Sequence, residues 1–168
     1  MRLLNKAALA TALLVAAGQA AAATDTASFQ VKIVITESCD IHTVTATELD
    51  FGTRARSTGN WDSASALTVN CSTGTPYTIA MGNGLNPSAV AVSATNRRMA
   101  NGGNFVPYGL FRDIGRSTLW GSTTGTDTLA GTGTGINVTV PVYGRVPAAS
   151  TNVPAGTYLD VVVATITY

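Results

Sequence analysis

The residues that carry most protein chemistry, cysteines, histidines and clustered acids, are few and scattered in this chain. Cys39 and Cys71 are the only cysteines, and His42 is the only histidine. Two cysteines and one histidine do not make up a usual zinc set. In an exported protein, two cysteines most simply form one disulfide. Closing a loop of about 33 residues stabilises by roughly 3–4 kcal/mol in the chain-entropy model. Asp50-Phe51-Gly52 spells the magnesium triplet of kinases, but the Gly-rich loop, strand lysine and catalytic loop that give it meaning are missing. The run Gly131-Thr132-Gly133-Thr134-Gly135 fits no phosphate-loop spacing and reads as a flexible hairpin connection. Asp113 and Asp160 are dispersed, and no Gly-x-Ser-x-Gly accompanies His42. Asn70-Cys71-Ser72 and Asn137-Val138-Thr139 match the glycosylation triplet, which is too short to carry a function by itself. The sequence therefore predicts a protein that is not an enzyme, with no cofactor and no metal.

The front of the chain reads as a targeting signal. Arg2 and Lys6 precede the apolar run Leu9–Ala17, and Ala20–Ala23 offer small-residue cleavage sites. This is the pattern of a cleaved signal peptide over residues 1–23. The apolar run is short for a retained anchor. Without the leader, eight basic residues face nine acidic ones, and Lys32 is the only lysine left. Such a chain offers no basic cluster for nucleic acid or an anionic membrane. Arg97-Arg98 reads as part of a solvated loop. A surface rich in Thr, Ser, Asn and Gly and poor in charge suits packing against copies of itself.

The strongest pattern lies just after the leader. Over Ser28–Thr36 the apolar residues Phe29, Val31, Ile33 and Ile35 alternate with Gln30, Lys32, Val34 and Thr36. A period of two with four large apolar residues on one face predicts a half-buried strand. Near a mature N-terminus, where chains are poorly ordered unless tied down, such a strand can complete another molecule's sheet. The same alternation also fits the first strand of a self-contained sandwich. Further strands are predicted at Leu49–Phe51, Ala66–Cys71, Tyr77–Met81, Ala89–Ser93, Val106–Arg112, Ile136–Tyr143 and Thr157–Tyr168, separated by Gly- and Asn-rich turns. In the last of these, Tyr158, Val162, Ala164, Ile166 and Tyr168 share a face with Asp160, and Leu159, Val161 and Val163 take the other. Apolar character on both faces predicts a central or doubly covered strand. Short strands at this spacing favour a β-sandwich. A membrane barrel would need longer alternating strands and aromatic girdles.

The order of several short motifs resembles the spore coat protein U domain family. They are Leu49-Asp50-Phe51-Gly52 after Cys39, Val69-Asn70-Cys71, and Pro76-Tyr77-Thr78-Ile79. Pro107-Tyr108-Gly109-Leu110-Phe111-Arg112-Asp113, Leu119-Trp120-Gly121 and Val142-Tyr143-Gly144-Arg145-Val146-Pro147 follow. Pro154-Ala155-Gly156-Thr157-Tyr158-Leu159-Asp160 and the closing Thr165-Ile166-Thr167-Tyr168 complete the set. Most members of the family resemble subunits of archaic, Csu-type chaperone–usher pili. The resemblance implies an all-β, immunoglobulin-like β-sandwich that lacks its final strand and is completed by donor-strand exchange. It implies a donor segment over residues 24–37, with Phe29, Val31, Ile33 and Ile35 as plugs, ahead of a domain over residues 38–168. The implied partners are a periplasmic chaperone, an outer-membrane usher and other copies or related subunits in a fibre. The implied place is the cell surface, reached through the periplasm, with a role in surface attachment and biofilm formation. The alternative is a structural protein of a spore or resting-cell coat with the same fold.

Overall fold

The computed structural model describes residues 24–43, 48–56, 58–88 and 94–168. Those residues form nine strands and no helix. The strands are β1 (Cys39–Thr43), β2 (Trp61–Cys71), β3 (Pro76–Met81), β4 (Arg98–Asn101), β5 (Asn104–Pro107), β6 (Gly109–Phe111), β7 (Leu129–Thr132), β8 (Val138–Val146) and β9 (Ala164–Thr167). They make a four-stranded sheet in the order β1-β2-β8-β6, a three-stranded sheet β7-β3-β9 and a hairpin β4-β5. All pairings are antiparallel. The chain divides into two compact units, one ending at Val34 and one beginning at Ile35; all the strands belong to the second.

Strict alternation builds the two larger sheets. On β2, Leu67, Val69 and Cys71 are buried, with Thr68 and Asn70 between them. On β8, Val140, Val142 and Val146 are buried, with Thr139 and Pro141 exposed. The register sets Leu67 opposite Val140, so both strands present one apolar face. From the other sheet, β3 adds Tyr77, Ile79 and Met81 to the same core. Trp120 is fully buried between these layers and donates its indole N–H to the Ile79 carbonyl at 2.9 Å.

Arg97 is the unexpected member of the interior. Its side chain is fully buried rather than solvated. The guanidinium donates to four backbone carbonyls, those of Gly82 (2.8 Å), Ala94 (3.1 Å), Met81 (2.9 Å) and Trp120 (2.7 Å). Burial pulls its pKa below the ordinary arginine value, and the nearby Tyr108, Asp127 and Asp160 offset part of that pull. A planar fork of five donors is the side chain suited to such a cage.

Other expectations shift in detail. The predicted strand Val106–Arg112 is two strands, β5 and β6, broken at Tyr108. Leu49–Phe51 forms no strand; Leu49 and Phe51 instead pack against the core over Gly144 of β8. The Gly131–Gly135 run is not simply a flexible connection, because β7 begins at Leu129 and contains Gly131. A Cβ at Gly131 would run into the Tyr77 ring, and one at Gly133 into the Ser72 carbonyl. These glycines permit close packing rather than looseness. Ala89–Ser93 lies outside the described residues, as does the leader over residues 1–23. The C-terminal strand shortens to β9, and among the described residues it is an edge strand, neither central nor doubly covered. On its predicted core side Tyr158, Val162, Ala164 and Ile166 pack on the core, but Tyr168, expected beside them, is exposed at the chain's end. The other side is open, with Leu159, Val161 and Val163 exposed.

Arg97→Lys is expected to cost about 1–3 kcal/mol for each carbonyl left without a donor. Urea unfolding of the variant beside the parent measures it.

Candidate functional site

An immunoglobulin-type sandwich sets strands A, B, E and D in one sheet and C, F and G in the other. The order β1-β2-β8-β6 reproduces the first, and β3-β9 reproduces C and F. The position of G, beside β9, has no strand among the described residues. Among the described residues β1 pairs with β2 and with no second strand. The open edges belong to strands that are near neighbours, since β1 and β9 approach each other. No backbone pairing joins them among the described residues.

The hydrogen-bond alternation shows which groups the edge of β9 presents. Gly82 donates to the Val163 carbonyl at 2.8 Å, and the register continues Ala80 opposite Thr165 and Thr78 opposite Thr167. Residues 163, 165 and 167 therefore turn their backbone groups toward β3, and Ala164 and Ile166 turn theirs to the open edge. The side chains along this line complete the site. Ile41 on β1 and Val162, Ala164 and Ile166 on the final segment pack on the core yet stay only half-buried. An unpaired edge above a half-covered apolar core is a place for one more strand.

The approach to β9 is held firmly. Leu159 and Ala100 exchange two backbone hydrogen bonds, at 2.8 and 3.1 Å. The Asp160 carboxylate accepts from the Tyr108 hydroxyl at 2.6 Å and the Leu85 N–H at 2.8 Å. Burial and this bond push the Tyr108 hydroxyl pKa far above its ordinary value. Asp113 shares no partner with Asp160. It accepts N–H bonds from Thr118 and Ser117, which hold its carboxyl down at about 2, and so fixes an exposed turn.

The disulfide expected from the cysteine count is present. Cys39 and Cys71 are bonded and lie directly opposite each other in the β1–β2 register. Ser38, one residue earlier, donates its N–H to the Ser72 hydroxyl at 3.2 Å and accepts from the Ser72 N–H at 2.9 Å. The chain enters β1 through a fixed point.

The alternating segment ahead of that point forms no strand in this chain. Phe29, Val31, Ile33 and Ile35 are 82–86% exposed. Four large apolar side chains at a period of two are thus in solvent, which is costly unless something covers them. Sequence reasoning singled out these four and put Val162, Ala164 and Ile166 on one face, but it missed Ile41 and that this row is only half-covered. Periodicity tells which way a residue faces, not whether a neighbouring strand closes over it.

The family model described as the Spore Coat Protein U domain matches residues 25–165. Protein U of Myxococcus xanthus is 43% identical over 106 residues, which cover 61% of this chain. The chain spans 58% of that relative's length. A solved structure of the CsuC–CsuE chaperone–tip adhesion subunit pre-assembly complex, from archaic chaperone–usher Csu pili of Acinetobacter baumannii, is similar with a TM-score of 0.55 and 25% identity. The match covers 80% of this chain and 40% of that one.

Amide exchange tests the open edge. Ala164 and Ile166 are expected to exchange fast and Thr165 and Thr167 slowly, an alternation that disappears once a strand fills the edge.

Proposed function

Because the chain belongs to the Spore Coat Protein U domain family, we propose that it is a structural subunit of an archaic chaperone–usher pilus, polymerising by donor-strand exchange. The observation that carries this reading is the pairing of two unfinished features in one chain: an open slot between β1 and β9, and an exposed alternating segment, Phe29–Ile35. The likeness to a subunit solved in complex with its chaperone supports it.

The physics is β-augmentation. Main-chain hydrogen bonds to the open edges supply affinity, and alternate side chains entering the half-covered core supply register. Phe29 to Ile35 spans about 20 Å as a strand, a length comparable with residues 160–166 along the slot. At about 1.5–3 kcal/mol for each fully buried large apolar side chain, four plugs contribute roughly 6–12 kcal/mol gross. Ordering the segment offsets part of this. A slip by one residue would set Lys32 and Gln30 against the core, so register is strongly fixed. Each copy gives at one end and receives at another, a head-to-tail contact that does not close on itself and so builds a fibre.

In this reading residues 1–23 are the cleaved leader, 24–37 the donor and 38–168 the acceptor domain. A periplasmic chaperone holds the slot before assembly, an outer-membrane usher exchanges it for the next donor, and the fibre serves surface attachment and biofilm formation. The role is structural, without catalysis. The relative Protein U keeps a second reading in view, a coat protein of a spore or resting cell built on the same fold. Neighbouring chaperone and usher genes separate the two.

Ile33→Asp is expected to abolish the multimer ladder on gels run without boiling, while the chaperone-bound monomer persists in the periplasm. Normal ladders from this variant would remove Ile33 as a plug.

A further inference from the structure

The proposed donor segment immediately precedes β1 in sequence, so insertion into its own slot is the alternative to donation. Several observations oppose that self-insertion. Only Thr36, Glu37 and Ser38 separate Ile35 from Cys39. A parallel placement beside β1 needs a crossover of a dozen or more residues, which this spacing excludes. An antiparallel hairpin remains, and its register follows from the fixed point at Ser38.

In an antiparallel pair, residues directly opposite share a face. Cys39 and Ile41 are the core-facing residues of β1, and Asp40 is exposed. The two-residue loop Thr36-Glu37 would set Ile35 opposite Ser38 and Ile33 opposite Asp40. All four plugs would then face solvent, with Lys32 opposite Ile41 on the core side, where an ammonium group is costly. A three-residue loop over 36–38 corrects the face but draws Ser38 into the turn, against its three hydrogen bonds with Ser72. A three-residue loop over 35–37 also corrects the face but takes Ile35 out of the slot. It offers no Gly or Asn for the left-handed position such loops use, and two of its three residues are β-branched.

We infer that the spacing between plugs and β1, together with the Ser38–Ser72 clamp and the Cys39–Cys71 bond, locks each donor out of its own slot, so that its acceptor is a second copy of this chain. The inference rests on the strand-donation reading above and adds a device to it. Odd and even register, rather than distance, prevents a subunit from closing on itself.

Two variants with the same turn chemistry and opposite register test the lock. In the first, Thr36→Asn is followed by an inserted glycine. Its two-residue Asn-Gly hairpin sets Ile35 opposite Glu37 and Ile33 opposite Cys39, with the plugs on the core side. In the second, Thr36→Asn and Glu37→Gly are combined without insertion, leaving Ile33 opposite Asp40. The full chains, exported to a bacterial periplasm and purified, are sized by light scattering. Amide exchange is followed over residues 29–35, with slow amides in β2 and β8 reporting that each is folded. The glycine inserted alone gives the same corrected face and replaces the first variant if that one unfolds. The expected result is a shift of the insertion variant to monomer with residues 29–35 protected, while the parent and the second variant remain multimeric. An insertion variant as multimeric as the parent would overturn the lock. So would a monomeric parent or second variant with residues 29–35 protected. If residues 29–35 stay unprotected in every species, strand donation itself falls, and the lock with it.

Discussion

An antiparallel sheet with an unpaired edge above a half-covered apolar core invites a partner, and among the described residues the short strand β9 has such an edge. Its backbone groups at Ala164 and Ile166 face outward, and Ile41, Val162, Ala164 and Ile166 are only half-covered beneath it. Natural sheets blunt their edges with charge, proline, bulges or a covering loop. From Val162 to Tyr168 there is no charged residue and no proline. Among the described residues no strand pairs with this edge, and the proposed strand donation has the exposed Phe29–Ile35 run fill it.

An open edge is useful only if the frame around it holds its shape without the missing strand. The interior is built for that. Arg97 gathers the carbonyls at the end of β3 and beside Trp120, where the sheet would otherwise fray. Tyr108 and Asp160 tie the segment ahead of β9 to the loop at Leu85, and Leu159 bridges to β4. On the other side, the disulfide and the Ser38–Ser72 bonds fix the start of β1. In the proposed strand donation, preorganisation of this kind lowers the ordering cost on the acceptor side and leaves it mainly on the donor. These polar ties also specify one arrangement of an otherwise permissive apolar core.

Much of the frame was legible in the sequence because burial on one face writes a period of two. β2, β3 and β8 show it plainly; residues 28–36 show the same period but form no strand and stay exposed in this chain. The core side of the final segment, Tyr158, Val162, Ala164 and Ile166, was legible for the same reason. Its second apolar row, Leu159, Val161 and Val163, was read as covered and is exposed, because periodicity carries no information about whether another layer exists. β1 is short and polar, with Asp40 and His42 in it, and β7 is Gly-bearing, so neither looked like a strand. Arg97 was read as solvated because an arginine beside another arginine gives no sign of four carbonyls converging from separate parts of the chain. The slot was legible only through family resemblance, since it is a relation between two strands distant in sequence.

The central claim is that residues 24–36 of one copy complete the sheet of another. Electron microscopy of sheared surface material, from the parent and from a strain in which this protein lacks residues 24–36, tests it most directly. The account predicts fibres containing the protein in the parent and none in the deletion strain, with chaperone-bound protein still present in the periplasm of both. Fibres of normal length in the deletion strain, or a soluble monomer without fibres in either strain, would contradict it.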